Sequence, residues 1–81
     1  MISPAQIRAA RSLLGWKQSD LATASDLSLT AMNNIERGAS DPRASTLDGI
    51  RKALEAAGIE FTNGDAPGVK LRLAKRKAKK R

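Results

Sequence analysis

Cysteine and histidine are both absent from this chain of 81 residues. Without them the protein cannot form disulfide bonds or cysteine/histidine zinc sites, and it lacks the commonest general base of enzymes. Aromatic residues are scarce too, because Trp16 and Phe61 are the only two. The core must therefore be built from leucine, isoleucine, alanine and methionine, which favours packed helices over a β-sandwich. A chain of this length fills one modest core.

The sequence also lacks the marks of membrane proteins and enzymes. No apolar run approaches the length of a membrane span, and the amino end lacks the basic-then-apolar layout of a secretory signal. We therefore expect a cytoplasmic protein without membrane contact. The acidic residues Asp20, Asp41 and Asp48 have no metal-binding spacing, no glycine-rich loop could cradle a phosphate, and no serine has a plausible base. We expect no metal, no cofactor and no enzymatic activity.

The formal net charge of +7 is distributed unevenly along the chain. Six of the 15 basic residues lie in the segment 75–81, so residues 1–74 carry nine bases and eight acids. A run of like charges without an apolar period cannot bury enough surface to fold, so we expect a flexible basic tail at residues 74–81. Any conclusion about nucleic acid must therefore rest on the body of the chain.

Apolar residues recur with helical spacing in four segments, each bounded by a capping residue or a glycine. The predicted helices cover residues 4–14, 17–24, 28–37 and 44–57. Ser3 and Gln6 have the chemistry of a capping box, with Pro4 in the first turn of the first helix. Residues 25–27 predict a tight turn between the second and third helices.

The third predicted helix has two different faces. At 100° per residue, Ala31, Met32 and Ile35 lie within about 100° of one another and predict the buried face. The opposite side carries Leu29, Thr30, Asn33, Asn34 and Arg37. An exposed helix face usually carries glutamate and lysine, so these neutral side chains suggest a surface that contacts a ligand. An ordinary solvated surface is the alternative.

Beyond Gly58 the apolar residues alternate with polar ones. The alternating apolar positions are Ile59, Phe61, Val69, Leu71 and Leu73. The stretch 63–68 is rich in turn residues, so the pattern predicts a β-hairpin over residues 59–73. A two-stranded ribbon is marginally stable alone. We expect the hairpin either to cover the end of the fourth helix or to form a dimer seam with a strand of a second copy.

One segment of the chain has a specific motif spacing. Residues 15–38 read GWKQSDLATASDLSLTAMNNIERG, in which glycine, Gln, Leu-Ala, apolar-Ser and apolar-x-x-Ile-Glu-Arg-Gly follow one another, and PRASTLDGIRKAL comes after this segment. On these motifs, residues 3–57 resemble the lambda-repressor-like, Xre-type helix-turn-helix regulators. The resemblance implies an all-α fold, a compact bundle of four or five helices that binds double-stranded DNA, usually as a homodimer. The expected organisation is a helix-turn-helix domain at 1–58, the hairpin at 59–73 and the tail at 74–81.

The resemblance also implies roles for individual residues. The family's base-reading positions correspond to Leu29, Thr30, Asn33 and Asn34. Asparagine can pair with adenine through two hydrogen bonds, and the methyl groups of leucine and threonine can lie against a thymine methyl. The positions that face the DNA backbone correspond to Lys17, Gln18, Ser28 and Arg37. Arg43 resembles an arginine that enters the minor groove. For Arg37 and Arg43 the alternative is a charge that only contacts solvent.

Three further positions bear on the scaffold. Arg11 and Glu36 resemble a structural ion pair between the first and third helices. Lys17 stands where relatives usually have a serine or threonine cap, a change that costs about 1 kcal/mol of helix stability. Asp26 replaces the usual turn glycine, and aspartate tolerates the left-handed conformation better than most residues.

These observations together predict a sequence-specific transcriptional regulator, in particular a repressor, that inserts the helix 28–37 into the major groove as a dimer. It would be associated with the nucleoid when bound. Two alternatives remain open at this point. One is an antitoxin-type protein that binds a partner protein as well as its operator, and the other is an RNA- or ribosome-associated helix-turn-helix protein.

Overall fold

Four α-helices precede a two-stranded β-hairpin in the computed structural model, which describes residues 2–63 and 66–72. In chain order the elements are α1 (Pro4–Leu14), α2 (Gln18–Ala24), α3 (Leu29–Glu36), α4 (Ala44–Ala56), β1 (Ile59–Thr62) and β2 (Gly68–Leu71). Each helix begins and ends within one residue of its predicted bounds. None of these four helices combines the length and apolar character required to cross a bilayer.

The ends of α1 are fixed by local hydrogen bonds. Ser3 Oγ accepts from the backbone N–H of Gln6 at 3.2 Å, and Gln6 Oε1 accepts from the backbone N–H of Ser3 at 2.9 Å. This capping box satisfies two backbone donors that the first turn would otherwise leave without a partner. At the other end Gly15 adopts φ 70°, a conformation that side-chain-bearing residues rarely adopt.

The ends of α2 accommodate both departures from the family pattern, Lys17 before the helix and Asp26 after it. The side chain of Lys17 makes no capping hydrogen bond, but the carboxylate of Asp20 accepts from the Lys17 backbone N–H at 2.8 Å. Asp26 has φ 59° and is the one non-glycine residue with positive φ among those described. Ser28 then caps α3, because its Oγ accepts from the N–H of Ala31 at 3.1 Å.

The core draws residues from every helix and from the hairpin. Its largest fully buried side chains are Ile7, Leu21, Met32, Ile50, Leu54 and Ile59. Leu14, Leu47 and Phe61 are partly buried and pack against this cluster. Because Met32 and Ile35 are both buried, α3 is held by one face and can present its other face outward.

The predicted hairpin is confirmed, and it packs against the helices. β1 and β2 pair antiparallel, with Ile59 opposite Leu71 and Phe61 opposite Val69. The buried side chain of Gln6 reaches the hairpin from α1, with Nε2 3.3 Å from the Thr62 carbonyl oxygen and 3.1 Å from that of Gly68. The sequence pattern predicts only the capping role of Gln6 and does not predict this second contact.

The expected fold class is confirmed in part, as four helices followed by a hairpin. A fifth helix does not occur among residues 2–63 and 66–72, and the chain continues after α4 into strands. Since β1 contributes Ile59 to the core, the term all-α is too narrow for a helical bundle that includes a hairpin. Leu73 and the predicted tail at 74–81 lie outside the described residues.

Candidate nucleic-acid interface

The outer face of α3 is exposed where its inner face is buried. Leu29 exposes 52% of its surface, Thr30 and Asn33 are exposed, and Asn34 is half-buried. The two faces separate because Met32 and Ile35 recur on one side of a helix with 3.6 residues per turn. The result is a row of small neutral side chains with one large apolar group at its amino-terminal end.

Asn33, Asn34 and Arg37 form a hydrogen-bonded group on this face. Arg37 Nε donates to Asn33 Oδ1 at 3.2 Å, and Arg37 Nη2 donates to Asn34 Oδ1 at 3.1 Å. Asn33 Nδ2 donates to Gln18 Oε1 at 3.3 Å. Gln18 thus connects the amino end of α2 to the middle of α3, across the turn of the helix-turn-helix.

Glu36 joins this surface to the interior. Its carboxylate receives Arg11 Nε and Arg11 Nη2, each at 3.0 Å, and Gln18 Nε2 at 3.2 Å. The side chain of Glu36 is 3% exposed and that of Arg11 is 24% exposed. Arg11 also donates to the Trp16 carbonyl at 3.1 Å. A bidentate pair at this depth fixes the relative position of α1 and α3 more than it adds net stability.

Arg8 is a residue that sequence analysis missed. Its Nη1 donates to the backbone carbonyl of Glu36, which ends α3. The last carbonyls of a helix lack intrahelical donors and carry partial negative charge, so a guanidinium there is favourable. A shallow cleft of about 320 Å³ brings together Arg8, Arg11, Gln18, Asn33, Glu36 and Arg37. Arginine spacing on α1 could not have revealed this contact, because it joins residues far apart in the chain.

The other residues assigned to DNA do not line this cleft. Lys17 is exposed before α2, and Ser28 is exposed before α3 with its hydroxyl oxygen engaged in capping. Arg43 is exposed at the amino end of α4 and makes no side-chain capping bond there. The cleft therefore unites Gln18, Asn33 and Arg37, whereas Lys17, Ser28, Leu29, Thr30, Asn34 and Arg43 lie outside its lining.

A second cleft, of about 690 Å³, lies between α4 and β1 on a separate part of the molecule. Leu47 and Phe61 supply part of its apolar lining, and Asp48, Arg51 and Glu55 are charged groups at its wall. Arg51 donates hydrogen bonds to the carboxylates of Asp48 and Glu55. The bond from Arg51 to Asp48, together with the nearby Lys52, lowers the pKa of Asp48 below its usual value. Among the described residues no cluster of three potential metal-ligating side chains occurs.

Comparison with known proteins agrees with this geometry. Residues 7–59 match the family model HTH_3, described as helix-turn-helix. The match begins in α1 and ends at the first residue of β1, so it includes the whole helix-turn-helix and the cleft beside it. No curated protein matches the chain in a sequence search. The chain belongs to the helix-turn-helix family HTH_3, whose lambda-repressor-like and Xre-like members are DNA-binding regulators of transcription.

Proposed function

We propose that the chain is a sequence-specific repressor that inserts α3 into the major groove of an operator and acts as a dimer by occupying that site. The outer face of α3 is the observation that carries this proposal. Leu29, Thr30 and Asn33 are exposed, while Met32 and Ile35 hold the opposite face in the core. A major groove admits a helix whose exposed side chains are short enough for the backbone to approach the bases.

Base discrimination is proposed for the four residues of that face. Asn33 and Asn34 carry the donor and acceptor that adenine requires, and Leu29 and Thr30 carry methyl groups suited to thymine. Each good contact of this kind discriminates by about 1–3 kcal/mol. The exposure of Leu29 supports its role, because an apolar group of this size gains little from facing water.

Backbone contacts are proposed for residues around the same face. The amino end of α3 presents Ser28 and unsatisfied amides, which suit a phosphate. Lys17 and Gln18 lie at the start of α2, and Arg37 lies at the end of α3. Arg43 is proposed to enter the adjacent minor groove, where an exposed arginine is sensitive to groove width.

Dimerisation is proposed to occur through the hairpin. β2 pairs with β1 on one side, and no described strand of this chain pairs with its other side. A second copy could add its own β2 to that edge through main-chain hydrogen bonds. Two-fold symmetry would then place two copies of α3 on half-sites about one helical turn apart.

Selection of bound sequences from a random duplex pool tests this proposal. We expect the pool to converge on a palindrome, and Asn34→Ala to change the preferred base at one position in each half-site. Lys52→Ala, on an exposed part of α4, is the matched control and should select the wild-type sequence. A pool that fails to converge, together with equal binding to structured RNA, would contradict the proposal.

A further inference from the structure

Arg37 donates hydrogen bonds to two of the proposed base-reading amides. Its guanidinium contacts Oδ1 of both Asn33 and Asn34, at 3.2 Å and 3.1 Å. An arginine carries donors only, whereas a side-chain amide has an acceptor at one end and a donor at the other. The guanidinium therefore holds both amide oxygens toward itself and leaves both NH₂ groups directed away from it.

The two asparagines differ in what else holds them. Asn33 Nδ2 donates to Gln18 Oε1, and Gln18 Nε2 donates to the buried carboxylate of Glu36. The orientation of Asn33 is thus connected through Gln18 to the ion pair with Arg11. In the described part of the chain, the side chain of Asn34 makes its hydrogen bond with Arg37 alone. Asn34 therefore depends on Arg37 more strongly than Asn33 does.

Arg37 retains hydrogen-bonding capacity for a ligand. A guanidinium has five N–H donors, and contacts to the two asparagines use two of its nitrogens. The side chain is exposed, so the remaining donors can reach a phosphate, for which the planar fork of arginine is well suited. Each amide oxygen has two acceptor positions, so an oxygen that receives Arg37 can still receive a base.

We infer that Arg37 is a positioning residue for base recognition, which orients Asn33 and Asn34 while a DNA phosphate holds its guanidinium. This inference rests on the proposed function, since it requires α3 to lie in the major groove. Discrimination between bases would then depend on the contact of Arg37 with the DNA backbone. The charge of Arg37 is not sufficient for this role, because a lysine ammonium is a point charge on a flexible stem and lacks the fork that holds two amides.

The substitution Arg37→Lys separates the two roles, because it keeps the charge and removes the fork. Dissociation constants for the selected operator and for a random duplex of equal length are measured at one salt concentration. We expect R37K to bind random DNA as the wild type does and to lose about tenfold in preference for the operator. R37A should weaken binding to both duplexes. The control R51K, on α4 away from this face, should leave both affinities unchanged.

Two outcomes distinguish failure of this inference from failure of the proposed function. If R37K keeps the wild-type preference for the operator, Arg37 is a phosphate contact only and the inference is overturned. If the wild type has no preference for any duplex, the proposed function fails, and NMR order parameters of the Asn33 and Asn34 side-chain amides in the DNA-free protein then test the orienting contact of Arg37 by itself. We expect both to fall in R37K, Asn34 more than Asn33, and not in R51K; unchanged values in R37K would overturn the inference.

Discussion

Leu29 exposes 52% of its surface at the start of α3, on the same side as Thr30 and Asn33. The substitution L29A keeps helix propensity and opens no cavity, because the side chain is outside the core. We therefore expect L29A to unfold at the wild-type denaturant midpoint. Operator affinity should fall about tenfold through loss of the thymine contact, with random DNA bound as before. Fluorescence anisotropy with labelled duplexes measures both affinities.

Leu13 provides the matched control for this substitution. It is 45% exposed on α1, and it is the other large apolar residue that is exposed in the described chain. L13A removes a similar apolar surface from a residue that has no role in the proposed interface. Operator binding by L13A should equal that of the wild type. Equal losses in L13A and L29A would show that Leu29 makes no specific contact.

The buried side chain of Glu36 is connected through Gln18 to Asn33 on the outer face of α3. Removing its carboxylate in E36A leaves the guanidinium of Arg11 without its bidentate partner and Gln18 without an acceptor. Breaking a buried pair on one side destabilises more than the intact pair stabilises, because a charge remains with poor solvation. Since Arg11 is only partly buried, we expect E36A to lose roughly 3 kcal/mol in the free energy of unfolding. Urea denaturation followed by circular dichroism measures this loss.

Glu55 offers the corresponding control on α4. Its pair with Arg51 lies at a distance of 3.0 Å but is open to solvent, so its net contribution is small. E55A should therefore unfold close to the wild-type midpoint. If E36A proved as stable as E55A, the carboxylate of Glu36 would have no role in joining α1 to α3.

Only part of this residue-level arrangement could be predicted from the sequence. The exposure of Leu29 follows from helical periodicity, because Met32 and Ile35 define the opposite face. The bond from Asn33 to Gln18 could not be predicted in the same way, because it joins side chains 15 residues apart on two helices. Such contacts depend on the angle between the helices and on rotamers, which local patterns do not specify.

At the scale of elements, the position of the hairpin depends on one glutamine. Gln6 of α1 donates to carbonyls of Thr62 and Gly68, at both sides of the hairpin turn. Q6A removes the amide that donates to these carbonyls and half of the capping box of α1. We expect a loss of about 2 kcal/mol in the free energy of unfolding. Hydrogen exchange of the amides in β1 and β2 should become faster than in the wild type.

Ser3→Ala separates the two roles of Gln6. Its hydroxyl caps the Gln6 backbone N–H but makes no contact with the hairpin. S3A should lose about 1 kcal/mol in the free energy of unfolding through the missing cap. Hydrogen exchange of the strand amides, compared with that of the helix amides, should stay as in the wild type. Faster strand exchange in S3A equal to that in Q6A would mean that Gln6 acts on the hairpin only through the helix end.

The elements themselves were the most predictable part of the fold. Caps such as Ser3 and Ser28, and glycines such as Gly15, are local chemistry that specifies where a helix begins and ends. The alternation after Gly58 likewise predicted a hairpin, which the structure contains. The docking of that hairpin on α1 was not predictable, because Gln6 is separated from Gly68 by 62 positions and no local pattern connects them.

At the scale of the whole molecule, charge is divided between a nearly neutral body and the basic segment 75–81. Lysines and arginines that neutralise phosphates release counterions, and the salt dependence of binding grows with their number. Deleting residues 75–81 should weaken binding to operator and to random DNA by the same factor. It should also make the affinity depend less steeply on salt concentration. A variant with the six basic residues of this segment changed to glutamine should behave like the deletion. A loss confined to the operator would show that the segment reads sequence.

The dimer proposal can be tested at the outer edge of β2. The Arg72 N–H donates to the Gly58 carbonyl at 2.8 Å, which directs it toward the β1 side. Because amides alternate along an antiparallel strand, the N–H groups of Val69 and Leu71 face away from β1. These are the donors that a second copy of the chain would use. Proline at such a position removes the outward donor, and edge strands tolerate it.

Val69→Pro and Val69→Ala form a matched pair for this test, because both lose the half-buried valine side chain and only the proline variant loses the N–H. Sedimentation velocity over a range of concentrations should show a dimer for the wild type and V69A. V69P should sediment as a monomer with the helical circular dichroism of V69A. Its operator affinity should fall toward that of a single half-site, since two-fold binding requires both copies of α3. Dimerisation of V69P equal to that of V69A would exclude the β2 edge as the seam.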